Sequence, residues 1–228
     1  TIDARMVIYG QVFGLAGTDH LRRDLSIALL WGTPVALIFG ILGALTTTVL
    51  SVVIAAASAW YRGWVDELIQ RITEVNMILP AFPIALMVYY LVSHSIWVAL
   101  SVVIVLTIFS TAVKTYRAAF IQAMESPYIE AARAYGASDW RIIWQYLMPR
   151  IFPVLIPQLT NMVPFFVFYE ATLAMVGVMD QNLPTWGKVL YDAFNNPYGR
   201  QDYWMLEPVV LMMITGLAFA MLGSALNS

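Results

Sequence analysis

Long apolar runs separated by short polar stretches dominate the chain, and their lengths predict helices that cross a bilayer. The stretch IALLWGTPVALIFGILGALTTTVLSVVIAAASAW, Ile27 to Trp60, carries no charge. It exceeds the about 20 residues that a helix needs to cross the hydrocarbon, so it predicts one tilted span with an interfacial lead-in. Its Gly40, Gly43 and alanine run suit close packing against a neighbouring helix. YRGWVDELIQRITE follows, with Trp64, Leu68 and Ile72 at helical spacing, and predicts a short amphipathic helix on the membrane surface. A second span, Val75 to Val92, contains Pro80 and Pro83; a third, Ile96 to Val113, follows after only Ser93-His94-Ser95, so the two form an antiparallel hairpin. The fourth span, Ile151 to Val178, holds Pro153, Pro157 and Pro164. Prolines are tolerated there where neighbours satisfy the freed carbonyls. Residues 179–204 read as an external polar loop rich in Asn, Pro, Gly and Tyr, and Met205 to Gly223 as a fifth span.

Composition agrees with this reading: 61% of the residues are hydrophobic and 11% charged, against about 25% charged in soluble domains. The chain is therefore expected to be an all-α, polytopic membrane bundle, with a transmembrane domain over 27–223 and an external or interfacial segment over 1–26. A net charge of −2 with no single-sign block suggests neither nucleic-acid binding nor a polybasic lipid anchor. The absence of cysteine removes disulfides and thiolate metal sites. No basic region precedes a short apolar run at the start, so no signal peptide is expected, and Thr1 suggests a trimmed chain.

Lysine and arginine set the orientation. One side holds Arg62, Arg71, Lys114, Arg117, Arg133, Arg141 and Arg150; the other holds Arg5, Arg22, Arg23, Lys188 and Arg200. The first side is read as cytoplasmic.

That side includes the most polar long stretch, SPYIEAARAYGASDWRIIWQYLMPR, Ser126 to Arg150. Ser126-Pro127 reads as an N-cap with proline at the first helical position, and Gly136 as the C′ stop of a helix of about two turns. Ser138 and Asp139 open a second helix, on which Trp140, Ile143, Trp144 and Leu147 form a stripe suited to the membrane interface. On the first, Ile129, Ala132 and Gly136 form a face of little bulk, of the kind that seats in a partner's groove. The pair is read as a lever, against the plainer reading of a solvated loop that caps two spans.

Glu130-Ala131-Ala132, Gly136 and then Pro149 resemble the EAA loop of ABC importer permeases. GTDHLRRDLSIALLWG, GWVDELIQRITEV with Pro80 following, YIEAARAYGASDWRI and LPTWGKVL resemble, in order, blocks of the dipeptide/oligopeptide/nickel-type permease family, from Gly17 to about Gly223. The resemblance implies a type I importer permease of six spans with one missing upstream, and a coupling loop over 117–150. It implies that Tyr128, Ile129, Glu130, Ala131, Ala132, Arg133, Tyr135, Gly136, Ala137 and Pro149 dock the chain on a cytoplasmic ATPase. The partners implied are a second homologous permease, two ATP-binding subunits that carry ATP and Mg, and an external substrate-binding protein, with peptides, oligosaccharides or nickel chelates as cargo.

No G-x-x-x-x-G-K-[ST] run occurs, and the two histidines, His20 and His94, lie far apart. No cofactor is expected on this chain, and it is not read as an enzyme. Glu170 is read as an acid near the middle of the fourth span, either lining the path or anchoring a neighbouring helix. Asn76 and Asn161 are weaker path candidates. The rival is an ion-driven secondary transporter or channel; it calls for several midplane carboxylates or an inverted repeat, and neither is visible. A non-transporting scaffold would leave the glycine bend without a task.

Overall fold

The computed structural model describes residues 15–19, 23–195 and 203–226. Arg5, His20, Arg22 and Arg200, with most of the segment before residue 23, lie outside the described residues. The first helix, α1 (Leu25–Tyr61), starts where the Asp24 carboxylate accepts the Ser26 N–H at 2.8 Å. It runs unbroken through Pro34 and ends at Arg62, whose φ of 50° and ψ of −165°, followed by Gly63 at φ 56°, turn the chain into α2 (Gly63–Ile78). Pro80 cannot continue a hydrogen-bonded helix, and α2 meets α3 (Ala81–Leu91) at 79°.

The third predicted span is broken where the sequence reads continuous helix. α4 (Ile96–Ile108) stops at Phe109-Ser110, and α5 (Thr111–Met124) leaves at 41° with Ser110 Oγ accepting the Ala112 N–H. Carbonyls freed by the break are met by side chains. Asn76 Nδ2 donates to Leu106 O at 2.5 Å and Phe109 O at 2.7 Å, and Ser51 Oγ donates to Ile108 O at 2.9 Å. Irregular backbone at membrane depth survives when protein groups satisfy it in this way.

After α6 (Pro127–Ala134), the helix α7 (Asp139–Arg141), the π turn Ile142–Leu147 and α8 (Met148–Met175) form one continuous rod from Asp139 to Met175. The second helix expected to lie on the membrane is therefore the first turns of a span. Pro149 explains the π turn: it has no N–H for the Gln145 carbonyl, the turn before it widens, and the Met148 N–H donates to Ile143, five residues back. The expected external loop contains a helix, α9 (Trp186–Phe194), and α10 (Leu206–Leu226) completes the bundle.

Three helices among the described residues are long and apolar enough to cross a membrane, and five spans result if each bent pair is one. α1 is the central mast. Gly40 and Gly43 let α8 approach it, Gly40 against Val163 and Val167 and Gly43 against Phe166. Phe39, Ala85, Tyr89, Val103 and Leu173 fill one core cluster; Ala55, Tyr116, Phe120, Ile129 and Leu147 fill a second at the α6 end. Ile38, Leu42, Leu45 and Val49 of α1 and Met213, Leu217 and Met221 of α10 are exposed, an apolar exterior suited to lipid as solvent.

Candidate coupling site and membrane face

The α6 turn is built from local sequence. Ser126 stands at the N-cap with extended backbone, but its hydroxyl donates to Gln122 O at 3.4 Å and does not cap the helix. Pro127 occupies the first turn. At the other end the Ala137 N–H donates to Ala132 O at 3.0 Å and the Gly136 N–H to Arg133 O at 2.9 Å, with Gly136 at φ 78°. These two bonds and the left-handed glycine make a Schellman motif, which fixes the direction in which the chain leaves α6. Ser138 Oγ then accepts the Arg141 N–H at 3.4 Å and opens the next helix.

The faces of α6 differ from the expectation. Ile129 is buried in the core cluster that includes Phe120 and Ala123 of α5, Ala59 of α1 and Ile142, and Ala132 is buried too, so two of the three low-bulk residues turn into this chain itself while Gly136 is exposed. Glu130, Ala131, Arg133 and Ala134 point outward, Tyr135 is 92% exposed, and Gly136 and Pro149 are exposed beside them. The Glu130 carboxylate makes no hydrogen bond or ion pair among the described residues. Arg133 lies over the Trp60 ring at 5.8 Å, and Arg150 over the Tyr128 ring at 5.4 Å, where Tyr128 also stacks on Tyr146. Ala137 is half-buried against the second core cluster. The stripe read through Trp140, Ile143, Trp144 and Leu147 is split by the π turn: the two tryptophans are exposed and Leu147 is buried.

Asp66 of α2 accepts both Nε and Nη2 of Arg117 on α5, and Ser58 Oγ of α1 donates to it at 2.5 Å. Sequence reading missed this group. Arg117 lies 51 residues from Asp66, and no local pattern links them.

At the opposite end of the bundle, Glu170 is 3% exposed and five residues from the end of α8, so it sits toward one end of the span and not at its middle. It faces the start of α9. A Cβ placed on Gly187 would stand 3.2 Å from Glu170 Oε2, 2.8 Å from Ala171 Cα and 2.6 Å from Ala174 Cβ. α9 is also held to α1 by Trp186 Nε1, which donates to Leu29 O at 3.1 Å, and opens with Thr185 Oγ1 accepting the Lys188 N–H at 3.0 Å. Arg23 bridges Asp19 at 2.6 Å and Asp192 of α9 at 2.8 Å. Burial draws its pKa down, but hydrogen bonds to the two carboxylates and their charges more than offset that and hold it above the usual arginine value.

Asn76 uses its amide at the α4–α5 break. Asn161 instead is exposed on α8, in line with exposed Phe165, Phe168 and Thr172 at i, i+4, i+7 and i+11. Of the three candidate path residues, it alone is exposed on the outer face of the bundle.

The family model for the binding-protein-dependent transport system inner membrane component matches residues 47–227. A Brucella suis permease protein ascribed to peptide transport is 32% identical over 217 residues, 93% of this chain and 71% of that protein. The glutathione transport system permease protein GsiD of Pectobacterium atrosepticum is 27% identical over 214 residues, 92% of this chain and 70% of its own. The dipeptide transport system permease protein DppC of Bacillus subtilis is 25% identical, with 92% and 66% covered. Among solved structures, a chain of the MetNI methionine ABC transporter, in inward-facing conformations, superposes with a TM-score of 0.74 at 17% identity, over 89% of this chain and 96% of that one.

Proposed function

The chain belongs to the binding-protein-dependent transport system inner membrane component family, and from that premise we propose that it forms half of a peptide path driven by two cytoplasmic ATPases. It is a multi-pass membrane permease subunit of an ABC importer. The other half is a second, homologous permease, and an external binding protein delivers the cargo. Small peptides are the favoured substrate class, supported by the names of the relatives.

The observation that carries the reading is α6: eight residues, held by its own buried Ile129 and Ala132, stopped by the Gly136 turn and presenting Glu130, Ala131, Arg133 and Tyr135 outward. A rigid helix whose Ile129 is buried in the cluster shared with α1, α5 and the π turn transmits a push on its outer face to the spans. Nucleotide closure of the ATPases pushes α6, and the spans exchange between inward-open and outward-open arrangements. ATP and Mg reside on the ATPases, and this chain does no bond chemistry. The α8 face from Asn161 to Thr172 lines the path opposite its counterpart in the second permease. Exposed polar groups on a span are costly against lipid and acceptable against water or protein.

Reconstitution tests this. The chain, its partner permease and the ATPases, purified together in proteoliposomes with the binding protein outside, should take up a labelled di- and tripeptide pool only with Mg·ATP inside. Uptake driven by an ion gradient without ATP would restore the secondary-transporter reading.

A further inference from the structure

Asp66 is the node of a hydrogen-bonded group that joins three helices close to α6. Its Oδ1 accepts from Ser58 Oγ of α1 at 2.5 Å and from Arg117 Nε of α5 at 2.6 Å, and its Oδ2 accepts from Arg117 Nη2. Gln70, one turn along α2, reaches Ser58 Oγ at 3.5 Å. The two charged side chains are 18% and 29% exposed, whereas Arg71 and Glu74 nearby are 71% and 48% exposed. A bidentate, half-sheltered pair is directional and only partly screened; an open one such as Arg71–Glu74 contributes little.

Two further features give this pair a task. First, α1 turns into α2 through Arg62, whose positive φ is a costly conformation for a residue with a side chain, and through Gly63. Ser58 lies four residues before that corner and Asp66 four after it, so their bond spans it like a brace. Second, Arg117 stands on α5, whose Tyr116, Phe120 and Ala123 share a core cluster with Ile129 of α6. The same helix thus contributes to the cluster that holds Ile129 and makes the contact with Asp66.

We propose that Asp66 and Arg117 are positioning residues that make α1, α2 and α5 move as one body when α6 is displaced, with the Ser58–Asp66 bond holding the strained Arg62–Gly63 corner. This rests on the reading of α6 as the coupling element. α2 buries one residue, Thr73, and is held largely by polar contacts: Glu74 with Lys114 of α5 at 3.6 Å and Asn76 at the α4–α5 break tie its far half, and the Asp66 group ties the half next to the corner. Without the pair, α2 and α3 lag behind the push, and the path on that side does not follow the ATPases.

The chain has no cysteine, so spin labels can be placed at will. In the assembled complex in nanodiscs, one pair at Glu67 and Gln122, exposed on α2 and α5, reads the clamp; a second pair at Glu67 and Ser224 of α10 reads whether α2 moves. Between the nucleotide-free state and the Mg·ATP-vanadate state, the Glu67–Ser224 distance should shift while Glu67–Gln122 stays constant. In Asp66→Asn the Glu67–Gln122 distribution should broaden and become nucleotide-dependent, and the charge exchange Asp66→Arg with Arg117→Asp should restore a narrow one. Arg117→Lys, which keeps the charge and loses the fork, gives the same test in a complex of near-normal assembly. A Glu67–Gln122 distance that stays constant in Asp66→Asn and Arg117→Lys overturns the proposal. A Glu67–Ser224 distance that never shifts, even in the unmodified complex, overturns the coupling reading on which it rests.

Discussion

Gly43 of α1 faces the ring of Phe166 of α8 so closely that a Cβ on it would stand 2.6 Å from the ring's Cγ. Phe166 is fully buried, so the ring has nowhere to withdraw. Gly43→Ala should therefore cost about 1–3 kcal/mol, the usual range for overpacking, and Gly43→Leu should prevent assembly. Gly216→Ala is the contrast, because a Cβ there meets Phe168 at an ordinary 3.6 Å. Thermal unfolding of the purified complex in detergent checks the pair; equal melting temperatures for Gly43→Ala and Gly216→Ala would contradict the packing account.

Asn76 and Asn161 should separate a structural amide from a path amide. Asn76→Ala leaves the Leu106 and Phe109 carbonyls without their donor, and an unsatisfied buried group costs about 1–3 kcal/mol. Its effect should appear as lower thermal stability. Asn161→Ala, exposed on α8, should leave stability within about 0.5 kcal/mol, as surface changes do, while altering the uptake rate of the peptide pool. Loss of stability in Asn161→Ala with normal uptake per folded complex would reverse the assignment.

Local signals carried much of this fold. α6 is legible because Ser126-Pro127 before it and Gly136 after it bracket about two turns, and Gly40 and Gly43 are legible as small residues in a charge-free run. α9 is hard to see in the sequence, although its signals are present: Thr185 before Trp186, then Val189, Leu190 and Ala193 at i+3, i+4 and i+7, all buried. Flanking Asn, Pro and Gly masked them. The α4–α5 break has only Ser110 to mark it, in an apolar run with no proline, and its stability comes from Asn76 and Ser51, each distant in sequence. Glu170 reads as midspan when the apolar run begins at Ile151, but the rod starts at Asp139 and ends at Met175. The Asp66–Arg117 pair depends on tertiary contact alone.

Glu170 should tolerate neutralisation better than α9 tolerates displacement. No hydrogen bond of normal geometry reaches its carboxylate oxygens among the described residues, Thr185 at the start of α9 being the polar side chain beside them, and Glu170→Gln keeps the shape and a polar end. Uptake should stay within about twofold of the unmodified chain, the scale of an interaction near 0.5 kcal/mol. Gly187→Val drives a side chain into Ala171 backbone and Ala174, and should lower uptake severely while ATPase subunits remain bound. If Glu170→Gln abolishes uptake in an assembled complex, the carboxylate acts through its charge.

Orientation is open to a direct measurement because the chain lacks cysteine. Ser93 lies in the turn between α3 and α4, and Ser138 lies between α6 and the long rod. The Lys/Arg distribution puts the second on the cytoplasmic side. Ser93→Cys should react with an impermeant thiol reagent on intact cells, and Ser138→Cys only after permeabilisation. The reverse pattern would put α6 on the wrong side for an ATPase.

Gly136 gives the sharpest test of the coupling site, because space and backbone make opposite demands there. A Cβ on Gly136 would meet nothing within 4 Å, yet the residue holds φ 78°. Sterics among side chains therefore permit any substitution, and only the left-handed backbone discriminates. Asn tolerates that region and should preserve the Schellman bonds from Ala137 to Ala132 and from Gly136 to Arg133. Val is β-branched and should incur a backbone penalty of about 1–2 kcal/mol. The rest of the bundle makes no contact that this change disturbs, so both variants should insert and pair with the second permease. Gly136→Asn should retain the ATPase on purification, and Gly136→Val should lose it and lose binding-protein-stimulated hydrolysis, since α6 then leaves its turn in a different direction. Ser126→Ala is the control: an N-cap serine is worth about 1 kcal/mol where its oxygen caps, but this hydroxyl donates to Gln122 and its removal should be close to neutral. Equal ATPase retention in Gly136→Val and Gly136→Asn would mean that the direction set by the turn is immaterial, and α6 would then be a loop segment without a coupling role.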